Sequence, residues 1–154
     1  VYTPLAAFTG VKIAKPFPYF VSVMRAGSIM VEALIELYPD ASVGNIGLAR
    51  DHNTLKPNEY YLNLSDNLSD SVVILCDPML ATAGSAIHSI DILKRKHSSN
   101  IIFFSLVASQ YGVDQLAKAH PDVKIYTCAV DKDLDEHGYI LPGLGDAGDR
   151  LFNT

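Results

Sequence analysis

Apolar and polar positions along the chain follow two alternating rhythms. Short, nearly continuous apolar runs mark strands buried on both faces, and apolar residues three and four apart mark one side of a helix. Phe20-Val-Ser-Val-Met24 is the first such run. Ile29, Met30, Ala33, Leu34 and Leu37 then keep helical spacing until Pro39 ends it. Val43 to Ala49 predicts a second strand. Arg50 to Asn58 carries Asp51, His52, Asn53 and Pro57, which predicts an exposed polar loop, and Tyr60 to Leu64 predicts a strand leaving it. Val72 to Asp77 predicts a buried strand, followed by a turn of small residues and a helix with Ala86, Ile90 and Leu93 on its inner face. Asn100 to Ala108 is the most apolar run and is expected at the centre of the sheet. Val113 to Ala119 predicts a short helix ended by Pro121, and Val123 to Val130 the last main strand. Asp131 to Thr154 is rich in Gly, Asp and Pro and predicts a functional C-terminal loop region. There is no internal repeat. Strands alternating with helices imply an α/β fold, a mostly parallel sheet flanked by helices.

Composition narrows the classes. The 154 residues suit one domain spanning 1–154, and with 49% hydrophobic and 19% charged residues the chain can bury a sizeable core. A net charge of −5 offers no global basic surface, so no nucleic-acid partner is expected. Cys76 and Cys128 both sit in strand-like runs and are expected to be buried free thiols, which suggests a cytoplasmic protein. No apolar stretch approaches the ~20 residues that span a bilayer, so no membrane association is expected. The sequence opens at Val1-Tyr2-Thr3-Pro4, without a methionine.

The strongest chemical signal is Val72-Val-Ile-Leu-Cys-Asp77-Pro78-Met79-Leu80-Ala81-Thr82-Ala83-Gly84-Ser85. Ligands of open α/β sheets bind at the carboxyl ends of strands. A helix start leaves backbone N–H groups unpaired, and its dipole favours anions. Gly84 permits close backbone approach to a phosphate, Thr82 and Ser85 add hydroxyls, and Asp77 can accept hydrogen bonds from two adjacent ribose hydroxyls. The plainer reading is an ordinary strand-to-helix turn with Ser85 as the N-cap. The Gly-Lys-Ser/Thr ending of a Walker A loop and the dinucleotide G-x-G-x-x-G are both absent.

Asp77 to Ser85 resembles the 5-phosphoribosyl-1-pyrophosphate (PRPP) signature of type I phosphoribosyltransferases, and Pro78-Met79 resembles its uracil-specific form. Met24-Arg25-Ala26-Gly27 is similar to the family's pyrophosphate loop, with Ser28-Ile29-Met30 in place of the frequent Leu-Gly-Met. Arg50 matches the flexible-loop arginine. Arginine suits a diphosphate because its planar fork stays charged and binds oxygens in pairs. His137-Gly138-Tyr139-Ile140-Leu141-Pro142-Gly143-Leu144-Gly145-Asp146-Ala147-Gly148-Asp149-Arg150 is nearly the C-terminal signature of uracil phosphoribosyltransferases, a segment that hoods the base. In the closing Leu151-Phe152-Asn153-Thr154, Asn153 replaces a family glycine, and asparagine tolerates positive φ.

The resemblance implies a type I phosphoribosyltransferase fold with a C-terminal base-binding hood. It implies transfer of the phosphoribosyl group from PRPP to uracil, giving UMP and pyrophosphate, a pyrimidine-salvage reaction. Arg25, Arg50 and Asp146 would be catalytic. Arg25, Arg50, Asp77, Pro78, Met79, Leu80, Ala81, Thr82, Ala83, Gly84, Ser85 and Asp146 would bind PRPP, and Tyr139, Ile140, Gly145, Asp146 and Ala147 the base. Mg²⁺ would arrive with PRPP, with no metal held directly by the protein. Family members carry a further N-terminal segment before the matching region, form dimers or higher homo-oligomers, and in some cases respond to GTP as an effector. None of His52, His88, His97, His120 and His137 needs a special role. Two alternatives stay open: a nucleotide-binding regulatory relative without turnover, and a phosphoribosyltransferase for another base.

Overall fold

A computed structural model describes residues 1–11, 16–50 and 57–154, with the backbone alone at 50 and 57. The centre of the expected polar loop, including His52, lies outside the described residues.

The element order is β1 (Tyr19–Met24), α1 (Gly27–Leu37), β2 (Ser42–Arg50), β3 (Pro57–Asn63), β4 (Val72–Cys76), β5 (Met79–Leu80), α2 (Gly84–Arg95), β6 (Asn100–Ser109), α3 (Gln110–Ala119), β7 (Lys124–Asp131), β8 (Asp133–Leu134), β9 (Ile140–Leu141) and α4 (Ala147–Phe152). Among the described residues the main sheet has seven strands in the order β3-β2-β1-β4-β6-β5, and β7 also pairs with β6. Strands β1, β2, β4, β5, β6 and β7 run parallel to one another, and β3 is antiparallel to its partner β2. The α/β reading therefore holds.

Alternation along β1 assigns the two faces. Tyr19, Val21 and Val23 join Val73, Leu75, Ile90, Leu93, Phe103 and Leu116 in the larger core, which α2 and α3 cover. Phe20 joins Cys76, Val31, Leu34, Ile35 and Tyr38 in the smaller core under α1. Ala86, Ile90 and Leu93 are buried as their spacing predicts.

Four expectations need correction. The run Asn100–Ala108 is not at the sheet's centre; β1 and β4 are, and β6 lies one strand in from the edge. Its apolarity comes from pairing on both sides and from a buried odd face, Ile101 and Phe103. Cys128 is exposed rather than buried, because β7 is an edge strand and Tyr126 and Val130, two residues to either side, are also exposed. In α1, Ile29 and Leu37 face solvent while Val31 is buried. That helix is apolar on most sides, so spacing alone does not choose its inner face. Finally, 131–154 is not all loop, since it contains the β8–β9 hairpin and the short helix α4.

Candidate active site

The parallel strands end at one edge of the sheet, and that edge carries the chemistry. β1 ends beside Arg25, β2 ends with Arg50, and β4 ends beside Asp77. Registers Ser22↔Cys76 and Met24↔Gly47 place the three ends next to one another. The side chain of Arg50 lies outside the described residues.

The turn after β4 folds as a small bowl. Asp77 and Met79 to Ala86 line a cavity of about 50 Å³. Ala83 adopts φ 67°, ψ −1° as the N-cap of α2 and supplies no side-chain cap. Ser85 is thus not the N-cap; it is the second residue of the helix. A Cβ on Gly84 would meet only the Thr82 hydroxyl, at 3.8 Å, so the space above this glycine is open to a ligand. α1 likewise starts with Ala26 as an N-cap that offers no side-chain acceptor. In contrast Ser109 caps α3 and Asp146 caps α4. The two helices that begin at the arginine and phosphate turns are therefore the two that no side chain caps. Their first-turn N–H groups and positive dipole ends favour an anion there.

Asp77 is half-buried, and its Oδ1 accepts the Met79 N–H at 3.3 Å. Burial, with a smaller push from the charge of Asp146, raises its carboxyl to about 7, against the lowering effect of the Met79 N–H. Burial next to Asp77 also pushes the Cys76 thiol up to about 12, so it is an inert core thiol at neutral pH.

Arg25 is held by the C-terminal segment. Its Nη2 donates to Asp149 Oδ1 at 3.1 Å and its Nη1 to the Thr154 hydroxyl at 3.4 Å, and its guanidinium lies 5.6 Å from the centre of the Phe152 ring. Both charged side chains are about half exposed, 52% and 54%. A pair of that kind is worth about 0.2–1 kcal/mol, little enough for a diphosphate to replace Asp149.

The C-terminal segment folds over the sheet edge. Asp135 Oδ1 accepts from His137 N–H and Tyr139 N–H and closes the hairpin turn. His137 is exposed and lies 3.5 Å from Glu136, a surface position. Ile140 is buried, and Gly145 has φ +78° with open space where a Cβ would be. Asp146 Oδ1 accepts the Asp149 N–H at 2.9 Å, a capping role its sequence context did not announce. Asn153 closes α4 at φ 56°, ψ 45°, the positive-φ geometry expected of it.

Between these walls lies a cleft of about 590 Å³. Met79, Ala81 and Ser85 line one side, and Tyr139, Ile140, Gly145, Asp146 and Ala147 the other. A depression of about 250 Å³ adjoins it, lined by Arg25, Asp77, Ser85 and Asp146 among others. The structure thus gathers the expected residues whose side chains are described, except Pro78. Pro78 lines none of these cavities; its carbonyl accepts the N–H groups of Leu106 and Val107 and ties the turn to β6. Leu48, Ala49 and Asp149 line the site without having been singled out. No local signal marks Asp149, since the contact Asp146 makes with it is to its backbone N–H, which any residue at that position would offer.

A mostly parallel sheet with an acidic strand end, an uncapped helix start and a folded-over C-terminal segment has the fold of the type I phosphoribosyltransferases. The fold recurs in adenine phosphoribosyltransferase from Rhodothermus marinus (TM-score 0.59, 15% identity, 75% of this chain and 70% of that one). It is closer in the AQ2163 protein from Aquifex aeolicus (TM-score 0.90, 31% identity, 99% of this chain and 73% of that one). Within the class, the chain belongs to the uracil phosphoribosyltransferase family, whose sequence profile matches residues 1–154. It is 49% identical over 154 residues to the uracil phosphoribosyltransferase of Dictyoglomus turgidum, and 51% identical over 156 to that of Lactococcus lactis subsp. lactis. It spans 74% of the length of each.

Proposed function

We propose that this chain transfers the phosphoribosyl group of PRPP to uracil, releasing pyrophosphate and forming UMP. The observation that carries the reading is the convergence of two different walls on one cleft, an uncapped helix start and a glycine-rich backbone segment opposite, with the acidic strand end in the depression that adjoins it.

The roles follow from chemistry. The bowl from Thr82 to Ser85 takes the 5′-phosphate with backbone N–H groups and hydroxyls. Asp77 accepts from the ribose hydroxyls. Arg25, released from Asp149, holds the leaving diphosphate, joined by Arg50 at the end of β2. Uracil presents an N–H between two carbonyls, and backbone groups of Ile140, Gly145 and Ala147 complement it, with Tyr139 beside the base. Cytosine reverses the pattern at N3 and C4, which leaves buried groups unpaired and allows discrimination of ~10⁴-fold or more. Uracil N1 then attacks the anomeric carbon as the bond to pyrophosphate breaks and the N1 proton passes to water or the departing diphosphate, and the protein contributes positioning and electrostatics.

Mg²⁺ carried on the diphosphate fits this site. Asp77 and Asp146 both line the depression beside Arg25, and the charge of Asp146 disfavours that of Asp77, so a cation-loaded diphosphate suits this acidic lining better than bare PRPP. The ion would neutralise diphosphate charge. A homo-oligomeric state and GTP as an effector extend this reading and follow from the family resemblance alone. No described helix is long and apolar enough to cross a membrane. The test is Asp77→Ala: UMP formation should fall by about 100-fold or more through loss of charge-assisted hydrogen bonds to the ribose. Undiminished turnover in that variant would remove Asp77 from the site.

A further inference from the structure

Ser109 and Asp131 face each other at the ends of β6 and β7, as the last registered pair of those strands. Neither lines the cleft, yet each grips one of its two walls. Ser109 is fully buried. Its hydroxyl donates to the Ala81 carbonyl at 2.6 Å and accepts the Gly112 N–H at 2.8 Å. A single oxygen thus caps α3 and holds the phosphate turn. Gly112 closes the same joint: a Cβ there would collide with the Ala81 carbonyl oxygen and come within 2.6 Å of that of Leu80. On the other side, Asp131 Oδ2 accepts the Gly143 N–H at 3.1 Å. Gly143 has φ +46°, and a Cβ there would strike the Ile140 carbonyl oxygen, so the base-binding segment doubles back tightly at the point Asp131 holds.

We propose that Ser109 and Asp131 form a bracket on one strand pair, Ser109 positioning the PRPP subsite and Asp131 the base subsite. The inference rests on the function proposed above. Displacement at carbon needs the reacting atoms ~3–3.5 Å apart, and a misplacement of ~1 Å can cost ~100-fold. The two subsites belong to segments more than fifty residues apart in sequence, Ala81 and Gly143. Adjacent residues of the paired strands link them. Both are positioning residues, since neither touches a substrate.

Steady-state kinetics with both substrates varied, run on wild type and variants whose thermal melts are also recorded, tests this. Asp131→Ala should raise KM for uracil about tenfold, the effect of one lost hydrogen bond to a charged group, with KM for PRPP changed less than about twofold. Asp131→Asn retains an acceptor for Gly143 and should recover most of the loss. Ser109→Ala should do the reverse, raising KM for PRPP and sparing uracil. Should Asp131→Ala fail to fold, Asp131→Gln shifts the acceptor by one methylene and should show the same uracil-selective rise. Equal shifts in both KM values, or wild-type values in variants that melt like wild type, would overturn the bracket. Absence of turnover in folded wild type would instead overturn the function on which it stands.

Discussion

Asp77 shows how one residue's environment sets its task. A carboxyl raised to about 7 keeps its proton in the folded protein where the unfolded chain, near 3.9, has lost it. Between those values the native state binds more protons, so stability falls as pH rises from about 4 to about 7 and levels off above. Denaturant midpoints between pH 5 and 7.5 should show that decline in wild type and a flatter profile in Asp77→Asn. Ligand binding runs the other way. Ribose hydroxyls need an acceptor, so KM for PRPP should fall as pH rises through about 7, and a flat profile would contradict the role given to Asp77. Arg25 makes a second residue-scale prediction. Lysine keeps the charge but loses the planar fork that meets a diphosphate in pairs and stacks on Phe152. Arg25→Lys should raise KM for PRPP at least several-fold, leave KM for uracil near wild type, and barely move the melting temperature, since the Asp149 pair it weakens is half exposed.

Helices and strands show what periodicity can and cannot tell. The inner face of α2 was legible because its apolar residues recur on one side, against polar His88, Asp91 and Lys94 on others. The inner face of α1 was not, because a helix that is apolar nearly all round has no unique stripe. The exposure of Cys128 was hidden for a related reason: a strand's sequence does not say whether a helix covers each of its faces. α4 was missed because a six-residue helix is short for periodicity, and its Gly148 and Asp149 read as loop. The joint of α3 with the phosphate turn depends on contact between Gly112 and the carbonyls of Leu80 and Ala81, residues about thirty apart that no local pattern links. Because that contact is with backbone, Gly112→Ala forces one element to move. Overpacking of this kind costs about 1–3 kcal/mol, which a denaturant titration would register as a lower midpoint.

At the scale of the molecule, both walls of the cleft were legible in the sequence, because each is drawn from a contiguous run: Asp77 to Ser85, and Tyr139 to Ala147. What the sequence left unsaid is how far apart they sit. That distance is set by parallel strands ending at one edge, by hydrogen bonds from β6 and β7, and by a C-terminal segment that folds back until Asp149 meets Arg25. The charge balance illustrates the same point, since a chain of net charge −5 still directs Arg25 and two uncapped helix starts at the depression beside the cleft. The direct test of the whole account is formation of UMP from labelled uracil and PRPP with Mg²⁺, with cytosine, orotate and hypoxanthine assayed in parallel. The account predicts turnover with uracil and a rate at least ~10⁴-fold lower with cytosine. Equal use of another base, or no turnover by the folded protein, would contradict it.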